Sequence, residues 1–78
     1  MPRFFFHLRG GRDIPDNEGI ELRDWQTAQH EAVARAGRLV SNDAERLGLG
    51  EDWSVNVTDE YYQPLFNFNF HIPEVPRA

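Results

Sequence analysis

The feature that most limits the fold of this chain is one long helical segment, predicted to run from about Asp24 to Leu47. Its apolar residues recur at intervals of three and four, which places them along one side of an α-helix. They are Trp25, Ala28, Ala32, Ala36, Leu39, Val40, Ala44 and Leu47. The opposite side is charged, as is typical of a helix that packs one face on a core. Because no other segment is long enough to cover a sheet, we expect a two-layer domain with a single helix layer.

The ends of this helix carry recognisable signals. Asp24 is a favoured N-cap, because its carboxylate can accept from the unpaired N–H groups of the first turn. The glycines in the stretch 48–50 can end the helix, and Asn42-Asp43 offers an earlier end. Gly37, inside the helix, costs about 1 kcal/mol relative to Ala. We interpret Gly37 as a place where the helix lies close against the sheet.

The remaining regular elements are predicted strands. Residues 3–9 alternate, with Phe4, Phe6 and Leu8 on the core side. Two more alternating runs, Trp53 to Asp59 and Leu65 to Ile72, are joined by a short polar turn and predict a β-hairpin. These runs are separated from the first strand by the helix and by an acidic loop over 12–22. That loop either stays irregular or returns as a short strand after Gly10-Gly11.

The predicted fold class is therefore α+β, with a small antiparallel-rich sheet of three or four strands and one long helix on one face. The element order is β-(β)-α-β-β, in which the bracketed strand is the optional one. We expect residues 1–72 to form a single domain and residues 73–78, which include two prolines, to form a flexible tail.

Composition limits the classes of function. The chain of 78 residues has a formal net charge of −5, no lysine and no cysteine. An acidic domain is repelled by phosphate backbones on average, so nucleic acid is an unlikely partner. The absence of cysteine excludes disulfides and thiolate metal sites. No apolar window approaches the roughly 20 residues of a membrane span, and no signal peptide is recognisable, so we expect a cytoplasmic protein with no membrane partner.

Catalytic and metal-binding motifs are not found in the sequence. His30-Glu31 resembles the start of a zinc-protease helix, but Ala34 stands where the second histidine is required. The acidic loop does not fit the register of an EF-hand, and no nucleophile elbow occurs. His7 and His71 converge only if the first and last strands are parallel neighbours. We therefore predict no catalytic, cofactor-binding or metal-binding residue, and no enzymatic activity.

The surface that we single out is the sheet face opposite the helix, which combines an aromatic side chain with arginine and amide groups. Its residues are Arg3, Phe5, His7, Arg9, Ser54, Asn56, Thr58, Leu65, Asn67, Asn69 and His71. One hypothesis is a non-enzymatic protein-interaction module. It would bind a second copy, as a homodimer, or another protein through this face or an unpaired sheet edge. The alternative is a small regulatory nucleic-acid-binding protein that uses Arg3, Phe5, His7 and Arg9.

Several stretches of the chain together resemble a family of small uncharacterised bacterial proteins, a domain of unknown function. The matching stretches are Met1-Pro2-Arg3-Phe4-Phe5-Phe6-His7, Asp16-Asn17-Glu18-Gly19-Ile20-Glu21-Leu22, the alanines at 28, 32, 34 and 36, and Val57-Thr58-Asp59-Glu60. The resemblance covers nearly the whole chain. It implies the α+β fold described above, and it supplies no activity, cofactor or partner.

Overall fold

The structure, a computed structural model, describes residues 1–74 and has the predicted α+β architecture. Its elements are β1 (Arg3–Arg9), β2 (Asp13–Ile14), β3 (Ile20–Glu21), α1 (Trp25–Asn42), α2 (Ala44–Leu47), β4 (Asp52–Thr58) and β5 (Pro64–His71). One antiparallel sheet carries all five strands, and α1 covers one face of it. The predicted flexible tail covers residues 73–78, and residues 75–78 lie outside the described part of the chain.

The strands are ordered β2-β1-β4-β5, and β3 also pairs with β1. The first and last long strands are therefore separated by β4, which is antiparallel to both. The sheet has five strands rather than three or four because the segment after Gly10-Gly11 pairs with β1 twice. Leu8 lies opposite Ile14 at one end of β1, and Phe4 lies opposite Ile20 at the other end.

Asp16 bridges the gap between these two short pairings. Its Oδ2 accepts from the backbone N–H of Phe6 over 3.1 Å, at the position where β1 has no strand partner on this side. Its Oδ1 accepts from the N–H groups of Glu18 and Gly19, each over 3.0 Å. Gly19 turns the chain with a φ of +68°, a conformation that glycine reaches without a steric penalty. A carboxylate thus takes the place of a strand along the middle of this edge.

The core lies between α1 and the sheet. Large side chains of the sheet, Phe4, Phe6, Val55 and Val57, meet small helix residues, Ala28, Ala32 and Ala36, and all seven are buried. A second cluster joins Leu47, Trp53 and Ile72 at the far end. Small residues on a helix let its backbone approach large sheet side chains closely, so the two layers fill the space between them.

The structure decides where the predicted helix ends and corrects two of its details. Asp24 caps it as expected, accepting from the N–H and hydroxyl of Thr27, and α1 ends at Asn42, the earlier of the two predicted ends, with α2 as a separate short helix. Trp25, assigned to the core from its spacing, is 56% exposed; it lies in the first turn of α1, next to Phe66 of the outermost strand. A Cβ added to Gly37 would meet nothing within 4 Å, so this glycine makes no close approach.

Candidate interaction surface

The sheet face opposite α1 is not open along its whole length. His7 and Thr58 are each only 8% exposed, and the Tyr62 ring stacks on His7 with 5.6 Å between centroids. His7 Nε2 lies 3.0 Å from Thr58 Oγ1, and His7 Nδ1 accepts from the Asp16 backbone N–H over 3.1 Å. The expectation of an exposed face is therefore wrong at this end, because the turn before β5 and the loop before β3 fold over it.

The rest of this face is more accessible. Its residues Arg9, Asn67, Asn69 and His71 are exposed, whereas Ser54, Asn56 and Leu65 are half-buried. The strand register shows whether His7 and His71 converge. Asn56 and Asn67 lie level with His7, but His71 lies opposite Asp52 at the far end of β4. His7 and His71 therefore do not converge, and His71 Nδ1 instead lies 2.8 Å from Asp52 Oδ1.

The four residues considered for nucleic-acid binding do not form a continuous basic surface. The Arg3 guanidinium donates to the Glu18 carbonyl over 2.9 Å and to the Glu21 carboxylate over 3.4 Å. Phe5 is half-buried and His7 is buried, so Arg9 is the exposed member of the set. A single exposed arginine supplies little of the phosphate neutralisation on which such binding depends.

The outer side of β5 is a second feature of the sheet, because β5 is the last strand in the order. Ile72 donates its N–H to the Glu51 carbonyl over 3.0 Å. In an antiparallel ladder, alternate residues direct their backbone groups to the same neighbour, so Phe66, Phe68 and Phe70 direct theirs to β4. Asn67, Asn69 and His71 direct their N–H and C=O groups away from the sheet. Within residues 1–74, no strand pairs with this side of β5; we call this row of backbone groups the β5 edge.

The two edges of the sheet differ in how they are protected. The edge formed by β2 and β3 has strands of only two residues, carries Asp13 and Glu21, and is interrupted by Pro15. Short strands, charges and prolines are the usual means by which proteins prevent edge-to-edge pairing. β5 has eight residues, and after Pro64 it contains neither another proline nor an arginine, aspartate or glutamate. The β5 edge therefore lacks the protection that the opposite edge has.

An apolar groove lies beside the β5 edge, between β5 and the first half of α1. Trp25 and Val33 are 56% and 58% exposed at its rim, and the rings of Trp25 and Phe66 are 6.4 Å apart between centroids. The cavity has a volume of about 560 Å³ and is lined by Trp25, Gln26, Gln29, Val33, Phe66, Asn67 and Phe68. Contiguous exposed apolar surface of this kind marks interaction sites in soluble proteins.

The sequence predicts an unpaired sheet edge in general terms but does not identify β5 as that edge. The Phe-Asn-Phe-Asn-Phe run at 66–70 was a visible signal, since it has no charged residue. Its position at the end of the strand order depends on how β1 and β4 pair, which the alternation does not specify. The helical spacing likewise assigns Trp25 to the core, because spacing does not show how far the sheet extends under the helix.

A second groove, of about 470 Å³, lies between α1 and the β1–β2 end of the sheet. Arg35 crosses it, with its guanidinium 4.6 Å from the centroid of the Phe6 ring and its Nε 2.8 Å from Glu31 Oε2. Arg38 also binds Glu31, over 3.2 Å. Both arginines are therefore engaged in ion pairs on the helix. Across residues 1–74, no group of three histidine or acidic side chains is arranged to hold a metal ion.

The sequence matches the model of a protein family described as "Domain of unknown function (DUF6894)" over residues 3–71. The chain belongs to this family. The matched region runs from the start of β1 to the end of β5 and so contains the β5 edge and its groove. No curated protein and no solved structure matches the chain significantly. In the part of the chain that the structure describes, no helix has the length and apolar character needed to cross a membrane.

Proposed function

We propose that this DUF6894 chain is a non-enzymatic protein-interaction module of the bacterial cytoplasm, and that the β5 edge is its binding element. The observation that carries the proposal is that one edge of the sheet is protected against pairing and the other is not. One edge is closed by Asp16, by short strands and by charged residues. β5 instead directs backbone groups outward from a strand that contains no arginine, aspartate or glutamate. Extended segments commonly bind such an edge by adding a strand to the sheet.

The apolar groove adds specificity to this mode of binding. Backbone hydrogen bonds of an added strand are the same for every sequence, whereas pockets beside the edge select its side chains. Trp25 and Val33 rise next to the edge on the helix side, so an added strand would place every second side chain against them. A segment with apolar residues at alternate positions fits this arrangement.

The test is affinity capture from a bacterial lysate with three baits, the natural chain, Asn69→Pro and Asn69→Thr. Proline removes the outward N–H of Asn69 and is tolerated on the solvent side of an edge strand, whereas threonine keeps that N–H. We expect a protein to be recovered in stoichiometric amount with the natural chain and with Asn69→Thr, and to be lost with Asn69→Pro.

Two outcomes would contradict the proposal. A protein recovered equally with all three baits would place binding elsewhere on the surface. Recovery of RNA or DNA that is released as salt rises would favour the alternative, nucleic-acid binding through Arg9 and its neighbours.

A further inference from the structure

We propose that the partner at the β5 edge is a second copy of this chain, paired antiparallel through β5 about a two-fold axis. The inference rests on the β5 edge being the binding element, as proposed above, and names its occupant. It follows from the self-complementarity of the strand, from the position of the apolar groove and from the charge of the chain.

The backbone of β5 is complementary to itself. In a two-fold antiparallel pair, each hydrogen-bonded position must bring together two residues that direct their N–H and C=O groups outward. The outward residues of β5 are odd-numbered (67, 69 and 71), so a two-fold axis centred on any residue of the strand pairs odd with odd. With the axis at Phe68, Asn67 of one copy lies opposite Asn69 of the other, and each exchanges two hydrogen bonds with its counterpart.

The side chains match across the same axis. Two strands joined in this way form one continuous sheet, so the helix-side faces of both copies lie on the same side. The phenylalanines at 66, 68 and 70 of one copy would then lie next to those of the other. They would extend toward the groove bounded by Trp25 and Val33, which are more than half exposed in the single chain. Aromatic cross-strand pairs of this kind contribute favourably to a sheet.

Charge favours this surface over others for contact between copies. The chain has a net charge of −5, so two copies repel each other on average. β5 contains no arginine, aspartate or glutamate, and the groove lining contains only apolar and amide side chains. Two acidic copies can therefore meet here without placing like charges opposite one another, a condition that the edge formed by β2 and β3 does not meet.

The first measurement is the mass in solution by sedimentation over a wide range of protein concentration. We expect the natural chain and Asn69→Thr to approach twice the monomer mass of 9.1 kDa, and Asn69→Pro to remain at the monomer mass. Circular dichroism and thermal unfolding establish that the proline variant is folded. If it is not, a double variant, Asn67→Lys with Asn69→Lys, keeps every backbone N–H and places like charges across the axis. It should be monomeric for that reason.

A second measurement reads the pairing directly. In an isolated chain the amides of Phe66, Phe68 and Phe70 are bonded to β4, and those of Asn67, Asn69 and His71 face water. We expect hydrogen exchange by NMR to show the second set protected in the natural chain and rapidly exchanging in the double lysine variant. A dimer in which the amides of Asn67, Asn69 and His71 exchange rapidly would overturn the proposed pairing, because the copies would then meet elsewhere.

The outcomes separate this inference from the proposed function. A natural chain that stays monomeric at every concentration overturns the second copy as occupant. If the lysate capture then yields another protein that Asn69→Pro loses, the β5 edge remains the binding element and only its occupant was wrong. If the capture yields none, both proposals fail. A dimer that persists in Asn69→Pro and in the double lysine variant would overturn the assignment to β5.

Discussion

Asp16 donates its backbone N–H to Nδ1 of His7 over 3.1 Å, which joins the loop before β3 to the sheet face opposite the helix. The side chain of the same residue accepts from three further N–H groups, those of Phe6, Glu18 and Gly19. One residue therefore fixes both the middle of the β1 edge and the cover over His7. This makes Asp16 the residue of the loop whose replacement should matter most.

We predict that Asp16→Ala destabilises the fold by about 1–3 kcal/mol, because it leaves partly buried N–H groups without an acceptor. Urea unfolding would measure the change in the free energy of unfolding. Asn17→Ala is the matched control, since Asn17 is exposed and adjacent, and its change should stay within about 0.5 kcal/mol. Equal losses in the two variants would contradict the role given to Asp16.

The contribution of Asp16 should also depend on pH. Partial burial acts to raise the pKa of Asp16, but N–H donors from Gly19, Phe6 and Glu18 and the charge of Arg35 outweigh it, so the pKa is lowered from 3.8. A lowered folded-state pKa gives stability that is fully present above the unfolded value and is lost as pH falls through the folded value. The stability difference between the natural chain and Asp16→Asn should therefore be constant from neutral pH down to about pH 5 and shrink below 3.8. A difference that does not shrink would mean that the carboxylate charge is not the cause.

Replacing Thr58 tests the second hydrogen bond of the His7 ring, between Nε2 and Thr58 Oγ1. An N–H can only donate, so the nitrogen that accepts from Asp16 is unprotonated, and the second nitrogen, Nε2, carries the proton that Thr58 Oγ1 accepts. Thr58→Val keeps the shape but leaves this buried N–H unpaired, at a cost of about 1–3 kcal/mol. Thr58→Ser retains the hydroxyl and should cost less. Unfolding by denaturant measures both variants, and a valine variant as stable as the serine variant would contradict the hydrogen bond.

The elements of this fold follow from local patterns, whereas the site depends on pairings that no local pattern specifies. The alternation in β1, β4 and β5 and the helical spacing of Ala28, Ala32 and Ala36 predicted the two layers correctly. The burial of His7 could not be predicted in this way, because Asp16 and Tyr62 approach it from separate turns. The exposure of the β5 edge likewise depends on β1 pairing with β4, which leaves β5 with one neighbouring strand among residues 1–74.

The contact between α1 and the sheet can be tested by adding volume. Ala32 is fully buried against the sheet aromatics, so we expect Ala32→Leu to cost about 1–3 kcal/mol through overpacking. Ala34 is exposed on the same helix, and since leucine and alanine are both good helix formers, Ala34→Leu should change stability by less than about 0.5 kcal/mol. Thermal unfolding of the two variants would show a lowered midpoint for Ala32→Leu alone. Similar midpoints would mean that the helix does not lie on the sheet through this face.

Two glycines should respond in opposite directions to the same substitution. Gly37→Ala should stabilise the fold by about 1 kcal/mol, because the added Cβ meets nothing within 4 Å and alanine favours the helix. Gly10→Ala should destabilise it, because its Cβ would overlap Cδ2 of the buried Trp53 ring. That ring is enclosed by the core and cannot yield without disturbing its neighbours. Urea unfolding of both variants gives the two signs. A loss of stability in Gly37→Ala would mean that α1 does need a glycine to approach the sheet. An unchanged free energy of unfolding in Gly10→Ala would mean that the turn after β1 does not pack on Trp53.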